Sequence, residues 1–143
     1  MCASGSDTAN GRGKGMFVGM TGQDVAHRGL LQFNLSALPK DAIVISANVT
    51  MWLVRSHLPL AETISMHRTI NSWGEGTSAT DGGNCVKAQG SDATWTLRFF
   101  DTKLAWRAPG GDFTSNATAT TSVGGENEPY SWKGKCSGWT TDI

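Results

Sequence analysis

Apolar and polar residues alternate on both sides of a single proline, and this alternation constrains the fold more than any other feature. Residues 28–35 (RGLLQFNL) carry an apolar side chain at every second position from Leu31 onward. After a short turn at Pro39, residues 42–55 (AIVISANVTMWLVR) repeat the pattern over a longer stretch. A helix would place apolar residues three and four positions apart instead. We therefore expect two core strands joined across one end of a β-sandwich.

Further segments predict more short strands, separated by long glycine-rich loops. The alternation returns at residues 62–70, and glycines bracket a short apolar run at residues 15–20. The 18 glycines favour turns, while good helix formers are sparse. We expect an all-β fold, an antiparallel β-sandwich of jelly-roll type with long Gly-rich loops, forming one domain over residues 1–143. The remaining candidate strands are residues 94–100, residues 117–123 and the segments PYSWKG and GWTTDI.

Charge and apolar run length exclude two classes of partner. Twelve Lys and Arg residues balance 12 Asp and Glu residues, so no basic excess favours nucleic acid. No apolar run approaches the roughly 20 residues of a membrane-spanning helix, so we expect the protein not to be membrane-embedded. The sequence also lacks His-Glu-x-x-His, Cys-x-x-Cys, Gly-x-Ser-x-Gly and a phosphate loop. We therefore expect a protein that is not an enzyme.

Three cysteines, Cys2, Cys85 and Cys136, are too few for a disulfide scaffold. Cys85 and Cys136 both lie among Gly, Asn and Lys residues, which predicts loop positions for them. These two residues either form a bridge or remain free thiols, because spacing alone does not show whether two sulfurs meet.

Arg68 falls on the apolar face of its predicted strand, in register with Ile64 and Met66. A buried guanidinium needs a carboxylate partner, since an unpaired charge is costly away from water. Glu75, just beyond Trp73, is the candidate, and the structural ion pair would hold the SWGEG loop. The alternative is that Arg68 contacts a ligand.

The six tryptophans supply candidate binding residues. Trp52 shares a strand face with serine, asparagine and threonine, where an indole can stack on the apolar C–H face of a sugar ring. Alternatively, a loop covers that face and buries Trp52. A second cluster of aromatic and guanidinium groups consists of Trp95, Arg98, Trp106 and Arg107. It either binds an acidic sugar by stacking and bidentate hydrogen bonds or closes a loop by cation–π packing. Burial is the expectation for Trp73, Trp132 and Trp139.

Three stretches of the chain resemble the DNRLRE domain, a family named from disaggregatase-related repeats that overlaps a family of carbohydrate-binding modules. Residues 28–53 (RGLLQFNLSALPKDAIVISANVTMWL) are similar to the family's segment R-x-LLRFDLS-x-LP-x-GA-x-I-x-SA-x-L-x-L. Residues 66–78 (MHRTINSWGEGTS) match a strand, His-Arg and then Trp-x-Glu-Gly-Thr. Residues 92–113 (DATWTLRFFDTKLAWRAPGGDF) match an Ala-Thr-Trp segment followed by Trp and Pro-Gly-Gly-Asp-Phe.

The resemblance implies a non-catalytic jelly-roll module that binds polysaccharide in secreted or cell-surface microbial proteins. Together with the aromatic and arginine clusters, it selects as candidate carbohydrate-binding residues Trp52, His67, Trp95, Arg98, Trp106 and Arg107. A structural spacer or adhesive domain without a ligand of its own is the alternative. By analogy with jelly-roll modules, a structural calcium ion would take oxygen ligands from the DGGN turn (81–84) and the GGD turn (110–112), although neither has a defined loop spacing.

The chain departs from the family's pattern at both ends and at Asn34. The family has a strand before residues 5–19 and closing strands beyond residue 143, which predicts that this domain lacks its first and last strands. We therefore expect it to be part of a larger multidomain protein. Asn34 replaces the common Asp of the FDLS segment, which would remove one charged partner.

Overall fold

The computed structural model describes residues 1–56, 60–81 and 84–124 and, as strand backbone, residues 128–135. These ranges contain short β-strands and no helix, which confirms the all-β prediction. No helix long and apolar enough to cross a membrane occurs in them. The strands are β1 (Thr8–Ala9), β2 (Gly19–Met20), β3 (Ala26–His27), β4 (Ser46–Leu53), β5 (Glu62–Met66), β6 (Val86–Lys87), β7 (Leu97–Phe99), β8 (Leu104–Ala105), β9 (Ala119–Val123) and β10 (Glu128–Lys135).

The chain divides into two compact units, each built from two segments. Unit 1 comprises Met1–Phe33 and Thr69–Phe113, and unit 2 comprises Asn34–Arg68 and Thr114–Ile143. In both units the strands pair antiparallel, two at a time. The single domain over residues 1–143 stays a prediction.

Unit 2 contains the longest strand pair of the described structure. Within β4 the alternation predicted for residues 42–55 appears from Val49 onward: the odd-numbered residues to Leu53 are half-buried, and the even-numbered ones are exposed. β10 pairs with β4 along its whole length, so that Trp52 lies opposite Pro129 in the backbone register. β5 pairs with β9 in the same antiparallel manner. The period of two follows from extended backbone, in which successive side chains point to opposite faces.

The prediction of a core strand over residues 28–35 is wrong. This segment forms no strand, and three of its apolar residues are exposed: Leu31, Phe33 and Leu35. The turn after it is present, since the Ala42 N–H donates to the Pro39 carbonyl at 3.0 Å. Beyond the turn, Ile43 and Ile45 keep 88% and 83% of their surface exposed. Alternation assigns side chains to faces, but a strand also needs a neighbour to pair with.

Unit 1 consists mainly of turns joined by strand pairs of two or three residues. β1 pairs with β6, β2 with β3, and β7 with β8. Two isolated antiparallel bridges add to them, from Cys2 to His27 and from Thr69 to Phe113. The long glycine-rich loops expected from the sequence fill the spaces between these pairs.

Apart from Trp106, the buried residues described in unit 1 have small or polar side chains. The largest fully buried side chains of this unit are Thr94, Asp92, Cys2 and Ser78. The Asp92 carboxylate accepts the backbone N–H of Ser78 at 3.2 Å and that of Gln89 at 2.7 Å. No buried side-chain nitrogen or oxygen in the described residues lacks a hydrogen-bond partner. Such a core depends on satisfied hydrogen bonds, because an unpaired buried polar group is destabilising.

Cys85 forms its disulfide with Cys2, and the alternatives of a bridge to Cys136 or a free thiol are both wrong for Cys85. The Cα atoms of Cys2 and Cys85 lie 6.4 Å apart, although 83 positions separate them in the sequence. Cys2 is 1% exposed, and its backbone is held against His27. Cys136 lies outside the described residues. The pairing follows from tertiary contacts that Cys spacing does not encode.

Candidate functional site

Trp52 is the most exposed tryptophan among those whose side chains the structure describes. It lies on β4 with 66% of its surface exposed. Asn48 and Thr50 share its face and are exposed as well. The alternative of burial under a loop does not match this exposure. The strand therefore presents one indole beside short polar side chains, as the alternation predicted.

His67 lies directly after β5, in the same unit as Trp52. Its side chain is half-buried, and Nδ1 lies 2.9 Å from the carbonyl oxygen of Thr114. This contact orients the ring against the segment that leads into β9.

Trp95 is half-buried in unit 1 and takes part in a cation–π contact. The guanidinium carbon of Arg28 lies 5.1 Å from the Trp95 ring centroid and 5.0 Å from that of Phe113. Arg28 Nη1 also donates to the Gly110 carbonyl at 2.8 Å. Trp95 therefore packs against a cation, the second of the two roles considered for its cluster. The cation is Arg28, and no local pattern in the sequence marks it as the partner, because it stands 67 positions before Trp95.

Trp106 is buried, with 5% of its surface exposed. Its indole N–H donates to the Thr94 carbonyl at 3.0 Å, and its backbone N–H donates to the Thr96 carbonyl at 3.1 Å. These two bonds hold Trp106, directly after β8, against the segment that leads into β7. In this arrangement Trp106 supports the hairpin and presents little surface to a ligand.

The two arginines of the cluster have different environments. Arg98 Nη1 donates to the backbone carbonyl of Ser72 at 3.0 Å and to its hydroxyl at 3.1 Å. The Arg107 side chain is exposed, while its backbone N–H donates to the Asp112 carboxylate at 2.9 Å. Arg98 is thus engaged in holding the loop that contains Ser72, and the Arg107 guanidinium faces solvent.

The GGD turn, from which the sequence predicted oxygen ligands for calcium, contains Asp112, and its carboxylate accepts hydrogen bonds from neighbouring residues. Burial by itself would raise the pKa of Asp112. The net shift is nevertheless downward, because the carboxylate accepts hydrogen bonds from the Arg107 N–H, the Asn71 amide and the Ala108 N–H, and because the positive charge of Arg107 is close. The Asn71 amide donates at 2.7 Å. Three nitrogen donors therefore use the oxygens that a cation would need.

The acids and histidines of the described residues offer no oxygen-rich metal cluster. The one close group of His, Cys, Asp or Glu side chains there consists of Cys2, His27 and Cys85. Sulfur and nitrogen do not suit calcium, which prefers six to eight oxygen ligands. The DGGN turn lies partly outside the described residues, at 82–83. The structural calcium stays a prediction.

The predicted ion pair of Arg68 assumed that its guanidinium is buried, and the structure does not show this burial. β5 ends at Met66, and Arg68 is exposed rather than buried on an apolar face. Burial therefore does not require a carboxylate partner for it. Glu75 is exposed too and belongs to unit 1, whereas Arg68 belongs to unit 2. The structural ion pair stays a prediction.

Trp73, expected to be buried, is half-buried. Trp132 lies in β10, of which the backbone alone is described, and Trp139 lies outside the described residues.

No protein-family model, curated protein or solved structure matches the chain. The resemblance to the DNRLRE domain accordingly stays an interpretation of its three motifs.

Proposed function

We propose that this chain is a non-catalytic carbohydrate-binding module of jelly-roll type, part of a larger secreted or cell-surface protein. The observation that carries the proposal is the exposure of Trp52 on a regular strand with polar neighbours. An indole held in this way stacks on the apolar face of a sugar ring, and nearby hydroxyl and amide groups can hydrogen-bond the sugar's hydroxyls.

The position of Trp52 in β4 supports a binding role. Eight paired residues hold the backbone of this strand, so only the side-chain torsions of Trp52 have to be ordered when a ligand arrives. Its neighbours toward the start of the strand, Asn48 and Thr50, are polar and exposed, and exposed Val54 follows it. An exposed strand face of this kind suits a polysaccharide segment better than a small molecule, which prefers a concave pocket.

The Cys2–Cys85 disulfide supports the proposed location outside the cytoplasm. Disulfides form and persist in oxidising compartments and are rare where thiols are kept reduced.

The test is a tryptophan-fluorescence titration with a panel of neutral and anionic soluble polysaccharides. We expect one class of polysaccharide to bind with Kd of about μM to mM, as a single module would. Trp52→Ala should weaken binding at least about tenfold, equivalent to about 1.4 kcal/mol, while Trp52→Phe should keep most of it because an aromatic face remains. Ile43→Ala, a change at an exposed apolar residue that lies nine positions before Trp52 and outside β4, is the matched control and should leave the affinity unchanged.

Thermal melts of the same variants separate binding from folding, since a ligand that prefers the folded state raises the melting temperature. If the protein melts cooperatively and no polysaccharide shifts the melt, the structural spacer replaces the binding module. Binding that survives Trp52→Ala but is lost in Arg107→Ala would move the site to unit 1 and contradict the role of Trp52.

A further inference from the structure

Three side chains that favour thiophilic metals come together in unit 1. The sulfurs of Cys2 and Cys85 and a ring nitrogen of His27 all lie within 4.8 Å of one another. Cys2 and His27 face each other across an antiparallel backbone bridge, and Cys85 directly precedes β6. Cys2 and His27 are buried, and Cys85 is half-buried.

One ring nitrogen of His27 is held by the backbone, as in many metal-binding histidines. Its Nδ1 lies 3.2 Å from the carbonyl oxygen of Val25. When Nδ1 carries the proton, it donates to that carbonyl and Nε2 keeps the lone pair for a metal. Most metal-bound histidines are fixed by such a hydrogen bond from the second ring nitrogen. The Phe17 ring also meets the imidazole edge to face, with 5.0 Å between the centroids.

We propose that the reduced form of this protein binds one zinc ion through Cys2 Sγ, Cys85 Sγ and His27, and that the disulfide form does not. A dithiol reductant breaks the S–S bond, which yields two protein thiols and the cyclic disulfide of the reductant. Zinc then displaces the two thiol protons to water and forms two S–Zn bonds. A small-molecule disulfide reverses the change: its own S–S bond accepts two electrons from the protein thiolates and breaks to give two small-molecule thiolates, the Cys2–Cys85 bond re-forms and the zinc ion leaves.

The size of the group fits zinc. Zn–S bonds of about 2.3 Å and Zn–N bonds of about 2.0–2.1 Å in tetrahedral geometry separate ligand atoms by roughly 3.5–3.8 Å. The three ligand atoms are already close to this separation, because none is more than 4.8 Å from another. After reduction, rotation of the two cysteine side chains would move the sulfur atoms apart to this distance. Water would occupy the fourth position.

Zinc and the disulfide would therefore be alternative crosslinks between the same residues. Each one ties together positions 2 and 85, and each closes the same long loop. The zinc form would in addition hold His27, and with it the end of β3.

The experiment uses the full chain, reduced with a phosphine, freed of reductant under anaerobic conditions and titrated with Co²⁺ and then Zn²⁺. We expect one equivalent of Co²⁺ to give thiolate-to-cobalt charge-transfer bands and tetrahedral d–d bands, and one equivalent of Zn²⁺ to remove them. The oxidised protein should show neither. Absence of the charge-transfer bands in the reduced protein would overturn the proposal.

Variants assign the ligands. Cys2→Ser and Cys85→Ser should abolish the charge-transfer bands or halve them, and His27→Ala should lower zinc affinity at least about tenfold. His27→Ala keeps both cysteines, so a cooperative melt of its oxidised form shows that it still folds. Cys136→Ser and His67→Ala, which change the third thiol and a histidine outside the group, should bind zinc like the parent chain. Loss of binding in either control, or full affinity in His27→Ala, would refute the three-residue site.

Discussion

The carboxylate of Asp92 occupies the space that a side chain at position 76 would fill. A Cβ added to Gly76 would collide with Asp92 Oδ1, and Gly76 itself has φ of +74°. Position 76 therefore requires glycine for two separate reasons, a left-handed backbone and close approach to a buried acid.

Gly76→Ala should destabilise the protein by about 1–3 kcal/mol, since both the backbone and the contact with Asp92 become strained. Two other glycines separate these effects. Gly90 has φ of +51° with open space around its Cβ position, and Gly15 has open space without a positive φ. Denaturant unfolding should rank the losses as Gly76→Ala, then Gly90→Ala, then Gly15→Ala, the last within about 0.5 kcal/mol of the parent chain. Equal losses at Gly76 and Gly90 would show that the contact with Asp92 contributes nothing.

Asp92→Asn should cost about 1–3 kcal/mol although it keeps the shape of the side chain. Both Asp92 oxygens accept backbone N–H groups, from Ser78 and from Gln89. The NH₂ group of an asparagine would face either the Ser78 N–H or the Gln89 N–H. Two donors would then meet, and neither would have an acceptor. Asp101→Asn is the control, because Asp101 is exposed and water can replace its bond to Thr102. Chemical unfolding measures both, and a loss at position 101 as large as that at position 92 would contradict the argument from burial.

Stability should fall in acid through Asp112. The pKa of its carboxyl is lowered in the folded protein by the Arg107 N–H, the Asn71 amide and the Ala108 N–H acting against the effect of burial. A depressed folded pKa contributes stability above the unfolded pKa of about 4, and this contribution is lost as pH falls through the folded value. Asp112→Asn should therefore flatten the pH dependence of the unfolding free energy below about pH 4. Curves for the parent and the variant that stay parallel there would exclude Asp112 as the titrating group.

Reduction of the Cys2–Cys85 disulfide, measured with metal ions chelated, should lower the free energy of unfolding by about 2–5 kcal/mol. The bridge restricts the unfolded chain over a loop of 83 residues, and long loops lose the most entropy when they are closed. Cys2→Ser and Cys85→Ser should each reproduce the loss in thermal melts without reductant. Cys136→Ser should not, which also distinguishes this pairing from the bridge to Cys136 first considered. A loss confined to Cys85→Ser and Cys136→Ser would reverse the assignment.

The outcome at Trp106 and Trp95 shows why aromatic clusters are hard to interpret from sequence. Spacing placed both tryptophans near arginines, which fits stacking on a sugar and internal packing equally well. Trp106 is buried and donates to the Thr94 carbonyl, and Arg28, distant in sequence, packs against Trp95. Composition cannot distinguish the two cases, because the deciding partner comes from another part of the chain.

The sequence by itself determined the all-β class, the turn after Pro39 and the strand face that Trp52 shares with Asn48 and Thr50. These features depend on backbone geometry over a few residues: a period of two on extended chain and the fixed φ of proline. The tertiary structure alone decided that residues 28–35 have no strand partner, that Cys2 reaches Cys85 and that Asp92 and Thr94 fill the core of unit 1. Each of these features depends on which distant segments of the chain come into contact. Strand pairing and burial involve two segments at once, so the alternation and spacing within one segment do not predict them.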